Sequence, residues 1–277
     1  MQDTLTNIPA ERWLEEFKKL ADSPVPSIGL NVAWELGIFQ KHFPMFAEFK
    51  TTQEHQIHHT EGDTWTHTLM VVDEVARYNT CVAGPKIDTF LLFLAALCHD
   101  LGKPIVNVQD ENGLWGQPGH SQAGLKPTNE FLTLLNVDNL TKEKVLKLVN
   151  DHLSPAILAA SLKDRPLRAL RRLATRLYPA TIDELFPLAV CDILGRGTTE
   201  ADKTEKKENL FQLWTIADVA QISDKKPEPI VTGKELLVLG FKPGPELGKL
   251  IVLLNNLHED HDITKQQLLE AFVKNEQ

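Results

Sequence analysis

The chain has 277 residues, of which 42% are hydrophobic and 24% are charged. This is the composition of an ordinary soluble globular protein, and it excludes a disordered, collagen-like or fibrous chain. With 38 acidic residues against 29 basic ones, the formal charge is −9, which excludes an open surface that coats nucleic acid. The three cysteines form no C-x-x-C pair, a usage that is typical of a reducing compartment.

The N-terminus and the longest apolar run indicate how the chain relates to membranes. The first residues, M-Q-D-T-L-T-N, are polar and acidic, so they do not form a signal peptide. The longest apolar run, from Phe90 to Cys98, is too short to span a bilayer. The sequence therefore predicts a soluble cytoplasmic protein that has no membrane partner.

Apolar residues recur at steps of three and four along most of the chain, which is the pattern of amphipathic helices. The pattern predicts helices over 10–21, 64–80, 88–100, 141–152, 166–177, 181–194, 204–222, 245–258 and 264–273. Capping-box sequences begin at Thr181, Thr232 and Thr264, and they agree with helix starts. Sustained alternation of period two, the signal of a strand, is absent from the sequence. The predicted fold class is therefore all-α, with about nine or ten helices and no sheet.

Three segments interrupt the helical pattern. Residues 22–29 contain two prolines and a glycine and are predicted to form a turn after the first helix. Residues 108–121 contain three of the 15 glycines and are the clearest internal loop; such a loop inside a compact domain is usually a functional lid or disordered. Residues 223–231 are predicted to be a linker that precedes a small helical C-terminal unit.

The strongest chemical signal is a set of histidines and aspartates on or beside the predicted helices. Asp100 directly follows a histidine, and Asp192 interrupts a strongly apolar helix. Burying an isolated carboxylate is costly unless it is paired or binds a metal. Nitrogen and carboxylate-oxygen ligands suit Mn, Fe, Co, Ni or Zn. The set therefore predicts a metal site assembled from five helices, with the members His67, His99, Asp100, His120, His152 and Asp192.

Each member of this set also has a structural explanation when it is taken alone. A single histidine is more often a surface residue or a satisfied core residue than a ligand, and Asp192 alone could be the partner in a buried salt bridge. The residue pattern by itself leaves the metal site and the structural cluster about equally supported. Cys98 and Cys191, which precede His99 and Asp192, are expected to be small buried packing groups.

Longer motifs surround these residues and carry a family resemblance. They are H-T-E-G-D-T-W-T-H-T-L at 59–69, A-A-L-C-H-D-L-G-K at 95–103, G-H-S-Q-A-G at 119–124 and C-D-I-L-G-R at 191–196. Through them the chain resembles the HD-domain superfamily of metal-dependent phosphohydrolases, and within it the HD region of bacterial multifunctional CCA-adding tRNA nucleotidyltransferases. Residues 231–249 resemble the tail of the same enzymes. The resemblance extends over residues 28–258.

The nucleotidyltransferase head of those enzymes is not part of the resemblance. Such a head needs a Gly-Ser-type loop and a D-x-D carboxylate pair to hold a metal and a nucleoside triphosphate. The chain contains neither G-G nor G-S, and its only D-x-D, at Asp260–Asp262, lies near the C-terminus. CCA addition is therefore not expected. The implied domains are an N-terminal helical segment packing on the core at 1–58, an HD hydrolase domain at 59–222 and a small helical tail at 231–277.

The resemblance also implies a ligand set for one or two divalent ions, of which Mn, Mg, Ni, Co, Fe and Zn are all candidates. By position, one ion matches the ligands His67, His99, Asp100 and Asp192. His120 and His152 match an extra pair seen in two-metal members, in which Asp100 bridges the ions. His59, Glu61 and Asp63, from the H-x-E-G-D string, are expected to have structural or rim roles.

The function that the resemblance implies is hydrolysis of phosphomonoesters or phosphodiesters, including 2′-nucleotides and 2′,3′-cyclic nucleotides. A metal lowers the pKa of its bound water, to about 7 in the zinc case, and the resulting hydroxide attacks phosphorus in line. Asp100 or Asp192 is expected to orient or deprotonate that water. Lys103 and Arg196 are expected to meet phosphate oxygens as catalytic residues, and for each a structural salt bridge to a ligand carboxylate is about equally supported.

Other functions remain open at this point. The chain could be a tRNA- or RNA-associated binding module with a vestigial metal site, since residues 163–176 contain six basic residues and one acid that would give salt-sensitive binding. An amphipathic helix with a solvated arginine face explains this stretch better. Another HD branch, such as a nucleoside-triphosphate or signalling-nucleotide hydrolase, is disfavoured by the length of the four motifs.

Overall fold

The computed structural model describes residues 8–56, 60–161, 166–261 and 263–273. The helices of this part of the chain are α1 (Ala10–Ala21), α2 (Pro26–Glu35), α3 (Ile38–His42), a 3-10 helix (Pro44–Phe46), α4 (Thr64–Cys81), α5 (Thr89–Cys98), α6 (Lys103–Val106), α7 (His120–Ala123), α8 (Leu125–Leu134), α9 (Asn139–Asp151), α10 (Ser154–Ala160), α11 (Pro166–Leu177), α12 (Ile182–Leu194), α13 (Glu200–Val219), α14 (Gly233–Val238), α15 (Pro245–His261) and α16 (Lys265–Val273). The predicted all-α fold class is confirmed.

The predicted helix number is too low, for two reasons. Two of the additional helices, α6 and α7, have only four residues, which is too short to produce a readable period. Helix α2 begins at Pro26, inside the predicted turn, because a proline fits the first turn of a helix as well as it fits a loop.

The prediction of no sheet is wrong within the segment 108–121. Strand β1 (Val108–Gln109) pairs antiparallel with β2 (Trp115–Gly116). The Asp110 side chain closes the turn between them by accepting hydrogen bonds from the backbone N–H groups of Asn112 and Leu114, each at 2.8 Å. Two-residue strands give no alternation that a sequence pattern could reveal. The predicted loop is therefore an ordered hairpin that leads into α7.

The chain forms two compact units, residues 1–226 and residues 227–277. The centre of the first unit is α5, which is apolar on all sides and buried from Leu91 to Cys98, as expected for a central helix. It packs against α4, α9 and α12. Helix α12 begins with the predicted capping box of Thr181 and Glu184, and its residues Ile182 and Leu185–Ile193 are buried.

The N-terminal helices of the first unit pack through an aromatic cluster. Phe17, Phe43 and Phe46 each make edge-to-face contacts with Phe131 of α8 at ring distances of 5.1 to 5.4 Å. Such pairs add about 0.5–1.5 kcal/mol each beyond the burial of their area. The boundaries of the three predicted domains stay a prediction.

One apolar stretch of the described chain, Thr89–Val106, is long and apolar enough to cross a membrane by length and composition. Because 72% of that stretch is buried inside the unit, it is accounted for by the core position of α5. The second unit has its own small core, formed by Val231, Leu236, Leu254 and Leu268. Its capping box at Thr232 and Glu235 is present as predicted.

Candidate metal centre

The structure brings all six residues of the predicted ligand set together inside the first unit. His67 lies on α4, Asp192 lies on α12, and His120 opens α7. His99 and His152 cap the C-terminal ends of α5 and α9, respectively. The relative exposure of every member is 8% or less. Five helices therefore contribute to one buried polar cluster.

One side of the cluster is built around His67. Its Nε2 atom lies 3.3 Å from Nε2 of His99 and 3.1 Å from Oδ1 of Asp192. Oδ2 of Asp100 lies 2.9 Å from Nε2 of His99 and 3.7 Å from Nε2 of His67. This group, called the His67 side below, consists of His67, His99 and Asp192 and shares Asp100 with the rest of the cluster.

The other side is formed by His120 and His152, and it is called the His120 side below. Their Nε2 atoms lie 3.1 Å apart. Oδ1 of Asp100 lies 3.4 Å from Nε2 of His120 and 3.9 Å from Nε2 of His152. The two carboxylate oxygens of Asp100 thus face different sides, and Asp100 belongs to both of the groups that could hold a metal ion.

Hydrogen bonds on the far side of each ring fix the direction of all four imidazoles. Nδ1 of His99 donates to the carbonyl of Ala96 at 2.6 Å. Nδ1 of His120 and of His152 donate to the carbonyls of residues 117 and 149, at 2.8 and 2.7 Å. Nδ1 of His67 lies 2.7 Å from a carboxylate oxygen of Glu61. Because a carbonyl oxygen only accepts, the hydrogen of His99, His120 and His152 lies on Nδ1 and their Nε2 lone pairs point into the cluster.

This donor set fits a divalent transition ion. Lone pairs on Nε2 atoms that lie 3.1 and 3.3 Å apart repel each other unless a proton or a metal ion lies between them. Imidazole nitrogens together with carboxylate oxygens are the ligands that such ions prefer. The hydrogen bonds from Nδ1 are the outer contacts that typically orient metal-binding histidines. The cluster can therefore hold one or two divalent ions.

The two sides have opposite electrostatic character. Desolvation lowers the pKa of His67, but the hydrogen bonds to Asp192 and Glu61 outweigh it and raise the pKa to about 9. Desolvation and the charges of His99 and His120 lower the pKa of His152 to about 3. A proton and a metal ion therefore compete for Nε2 of His67, whereas Nε2 of His152 stays unprotonated.

Both aspartates are held in the ionised form. Desolvation raises the pKa of Asp100, but the charges of His99 and Lys103 lower it well below the usual range. Desolvation acts on Asp192 in the same direction and is outweighed by the charge of Arg196 and by the hydrogen bond to His67. Two permanent carboxylates thus face the histidines, as a cation site requires.

Lys103 is buried and fully engaged by carboxylates. Its Nζ lies 2.8 and 2.7 Å from the two oxygens of Glu54 and 2.8 Å from Oδ2 of Asp100. The ammonium group donates hydrogen bonds to Glu54 and forms an ion pair with Asp100, so three carboxylate oxygens surround it. This geometry favours the salt-bridge interpretation of Lys103 over direct contact with phosphate.

Arg196 differs from Lys103 in having donor capacity left over. One terminal nitrogen donates to Oδ2 of Asp192 at 2.6 Å, while Nε is buried and has no hydrogen-bond partner among the described residues. The side chain is 14% exposed and lines the cavity beside the cluster. A guanidinium with a fixed anchor and a spare N–H suits an anionic group that enters the cavity.

The cavity has a volume of about 260 Å³ and is lined by residues of both sides of the cluster. His99, His120 and His152 line it, whereas His67 does not. His55 and Gln117 also line it, and the Gln117 side chain donates to the backbone carbonyl of Gln53 and to Asn107, each at 2.8 Å. The segment around His55 and the β1–β2 hairpin therefore form a wall of the cavity.

Several of these neighbours were not identified from the sequence. Glu54 and His55 lie in a polar stretch without periodicity, so no pattern marks them. Glu61 lies in the H-x-E-G-D string, where the sequence suggests a structural or rim role, and its contact with His67 depends on the fold. Asp63 caps α4 by accepting a hydrogen bond from the N–H of Thr66 at 2.9 Å. His59 lies outside the described residues.

Comparison with protein families gives two matches. Residues 64–205, about half of the chain, match the family described as HD domain. Residues 1–50 match the family described as "Probable RNA and SrmB- binding site of polymerase A". The HD match includes every member of the six-residue cluster but neither Glu54 nor Glu61.

Curated proteins of similar sequence include a multifunctional CCA protein of Actinobacillus pleuropneumoniae serotype 5b, 28% identical over 219 residues that make up 79% of this chain and 51% of that protein. The CC-adding tRNA nucleotidyltransferase of Thermus thermophilus is 26% identical over 270 residues, 96% of this chain and 57% of that enzyme. A multifunctional CCA protein of Methylococcus capsulatus is 31% identical over 196 residues, 70% and 43% of the two chains.

The chain spans about half the length of the curated relatives it matches. The resemblance to the HD and tail region of multifunctional CCA-adding enzymes, inferred from the four motifs, is confirmed by these matches. The match to the HD domain, the helical fold and the buried His/Asp cluster all indicate the same family. This chain belongs to the HD-domain family.

Proposed function

We propose that this protein is a metal-dependent phosphohydrolase, either a phosphomonoesterase or a phosphodiesterase, that acts on nucleotide-type phosphate esters such as 2′-nucleotides or 2′,3′-cyclic nucleotides. The observation that carries the proposal is the convergence of four Nε2 atoms and two ionised aspartates beside a cavity. A vestigial site would have no need to keep all four imidazoles oriented from behind.

His67, His99, Asp100 and Asp192 would hold one ion, and His120 and His152 would hold a second together with Asp100. When bound, a divalent ion lowers the pKa of a coordinated water and polarises phosphoryl oxygens. Asp100 and Asp192 are ionised and lie beside these positions, so either can orient the attacking water or accept its proton. The proposed ion is one of Mn, Mg, Ni, Co, Fe and Zn.

Arg196 is the residue proposed to contact phosphate directly. Its guanidinium is anchored on Asp192 and lines the cavity, so it is positioned to receive an anionic oxygen there. Lys103 acts through Asp100, because Glu54 and Asp100 already occupy its donors. Charge that develops on the phosphoryl oxygens is therefore stabilised mainly by Arg196 and the ions.

The size and lining of the cavity support a small substrate. About 260 Å³ is less than the ~300–1,000 Å³ of pockets that enclose drug-sized ligands. The described residues that line it include no Trp, Tyr or Phe, and such side chains are what nucleobases usually stack on. The phosphate and the adjoining sugar fit this lining, and the base is expected to remain outside.

The test combines metal analysis with a panel of phosphatase and phosphodiesterase substrates. The wild type should contain or bind a divalent ion and should cleave at least one 2′-nucleotide or 2′,3′-cyclic nucleotide. His99→Ala/Asp100→Ala should lose both properties, because it removes the bridging carboxylate and one imidazole. His258→Asn, which changes a histidine of the second unit, should retain both.

Thermal unfolding of each variant separates loss of function from loss of folding. If the double variant does not fold, Arg196→Ala and His120→Asn, read on the same panel, take its place. A wild type that binds no divalent ion and cleaves no substrate of the panel would refute the hydrolase proposal.

A second candidate function is binding of tRNA or another RNA. Its support is the family match over residues 1–50 and the names of the curated relatives. The matched segment contains seven acidic and five basic residues, so its charge does not favour strong attraction to phosphates. The described part of the basic stretch 163–176 forms most of α11, in which Arg176 pairs with Asp151 at 2.7 Å.

The two functions can be separated with Arg171→Ala/Arg172→Ala, a change on α11 far from the cluster in sequence. If α11 is a solvated arginine face, tRNA affinity measured at low salt should be unchanged. If tRNA binding weakens and its salt dependence falls, the RNA-binding module gains support. Binding that survives in His99→Ala/Asp100→Ala would also favour the module.

We also propose a cytoplasmic location. The three cysteines are free, and two of them, Cys98 and Cys191, are fully buried. Burial raises the pKa of both thiols, which keeps them protonated and unreactive. Fractionation of the producing cells would test the location.

A further inference from the structure

The two carboxylate oxygens of Glu61 contact two different parts of the molecule. Oε1 lies 2.7 Å from Nδ1 of His67. Oε2 accepts a hydrogen bond from the backbone N–H of Gly197 at 2.8 Å. The side chain of Glu61 is only 2% exposed. One buried carboxylate therefore joins a histidine of α4 to the turn that follows α12.

The backbone around Glu61 reinforces this junction. The hydroxyl of Thr60 donates to the carbonyl of Gly197 at 2.5 Å, so residues 60 and 61 contact both polar groups of that glycine. A Cβ atom on Gly197 would lie 2.7 Å from Oγ1 of Thr60 and 2.8 Å from the backbone nitrogen of Glu61. Gly62 has a φ of +108°, a conformation that side chains other than glycine rarely adopt. The contact is thus built into the backbone on both sides.

The consequences for the cluster follow from chemistry. The carboxylate of Glu61, 2.7 Å from Nδ1 of His67, keeps a hydrogen on Nδ1, so Nε2, which faces Asp192 and His99, is the nitrogen that can exchange its proton for an ion. The Gly197 contact fixes the residue next to Arg196, the side chain proposed to bind phosphate. A single outer carboxylate can therefore set the direction of a metal ligand and the position of an anion-binding side chain.

We propose that Glu61 is a positioning residue that aims Nε2 of His67 at the ion and holds the Arg196–Gly197 turn against the same side of the cluster. Glu61 lies before the residues that match the HD domain. Conformational support of the His67 side thus comes from a segment that the family match does not contain. This inference rests on the proposed metal-dependent function.

The substitutions Glu61→Ala and Glu61→Gln separate the two tasks from simple packing. A glutamine side chain offers only one acceptor oxygen, and its NH₂ group cannot accept from either N–H donor. Glu61→Ala should weaken Mn²⁺ binding by about 10- to 100-fold, the usual effect of losing an outer partner of a metal-binding histidine. Glu61→Gln should weaken it by less, because one of the two contacts can re-form.

Calorimetry with Mn²⁺ supplies the affinities. In the Zn²⁺-loaded protein, proton NMR supplies a second readout, the downfield signal of the Nδ1 hydrogen of His67. That signal should disappear in Glu61→Ala. Asp183→Ala is the matched control, since it removes another side-chain hydrogen bond of α12, from Nε1 of Trp214 at 2.8 Å, and should change stability but neither readout.

Gly197→Ala tests the turn without touching any charge. Its new methyl group displaces residues 60 and 61, so it should weaken Mn²⁺ binding in the same direction as Glu61→Ala. If Glu61→Ala does not fold, Glu61→Gln and Gly197→Ala decide the question. Unchanged Mn²⁺ affinity together with an unchanged Nδ1 signal would overturn the proposal for Glu61. A wild type that binds no Mn²⁺ or Zn²⁺ would instead overturn the proposed function itself.

Discussion

The His67 side and the His120 side of the cluster have the same kind of ligand but different surroundings. On the His67 side, the outer partner of His67 is the carboxylate of Glu61, and Asp192 faces the ring directly. On the His120 side, both outer partners are neutral backbone carbonyls. Asp100 supplies one oxygen to each side. The difference lies in charge, not in the number of imidazoles.

This difference in charge predicts which side of the cluster should bind a divalent ion more tightly. Carboxylates near a cation lower its free energy in a buried site, whereas backbone carbonyls contribute only dipoles. The opposite pKa shifts of His67 and His152 report the same asymmetry for the proton. We therefore expect the first divalent ion on the His67 side and a second, weaker one on the His120 side, which borders the cavity.

The largest expected effect is the pH dependence of stability of the metal-free protein. The pKa of His67 is raised to about 9, so its contribution is fully present below pH 6.5 and is lost as the pH rises through 9. The pKa of His152 is lowered to about 3, so stability is lost as the pH falls from 6.5 towards 3. The protein should be most stable near pH 6.5 and should lose roughly 3 kcal/mol by pH 10.

Urea unfolding of EDTA-treated protein across pH 4–10 measures this profile. In His67→Gln the loss on the alkaline side should disappear, while the loss on the acid side should remain. If His67→Gln loses as much stability at alkaline pH as the wild type does, the carboxylates of the His67 side do not hold a proton on His67.

The next effect concerns metal affinity and compares the two sides directly. His67→Ala should weaken the tightest Mn²⁺ site by about 100-fold or more, because it removes the central ligand of the carboxylate-rich side. His120→Ala should leave that site within about tenfold and should remove only the weaker binding event. Calorimetric titration with Mn²⁺ measures both. Equal losses in the two variants would contradict the proposed order of binding.

The smallest effect distinguishes Arg196 from Lys103. Arg196→Ala should lower kcat/KM for phosphate esters by on the order of 10- to 100-fold, because a donor to the phosphoryl group is lost. Lys103→Met should act mainly through lower metal affinity, because its ammonium contacts the carboxylates of Asp100 and Glu54. Steady-state kinetics at saturating Mn²⁺ make the comparison. A larger kinetic defect in Lys103→Met than in Arg196→Ala would reverse the two roles.

The sequence predicted helices α4, α5, α9 and α12, for a physical reason. These helices have enough turns to show a period, and Asp192 interrupts a strongly apolar helix, where a charged residue is conspicuous. The capping boxes at Thr181 and Thr232 mark helix starts through local chemistry alone. Each of these signals is contained in a segment of about 20 residues, so it can be recognised in the sequence without knowledge of the tertiary structure.

The outer partners of the cluster could not be predicted in this way. Glu54 contacts a lysine 49 positions away, and Glu61 contacts a glycine 136 positions away. Such pairs depend on how the segment before α4 lies across two other helices. The same holds for His55 and Gln117, which approach the cavity from a loop and a hairpin without sequence periodicity.

Gly102 allows two backbone segments to pack closely beside the cavity. A Cβ atom at this position would lie 1.9 Å from the carbonyl oxygen of His120 and 2.5 Å from the nitrogen of Gly124, so the chain after Asp100 touches the start of α7 backbone to backbone. The β1–β2 hairpin leaves and re-enters the body near this junction. A hairpin tethered at a fixed base can change in length or sequence while His120 keeps its distance from Asp100. The wall of the cavity can therefore change without moving His120 or Asp100.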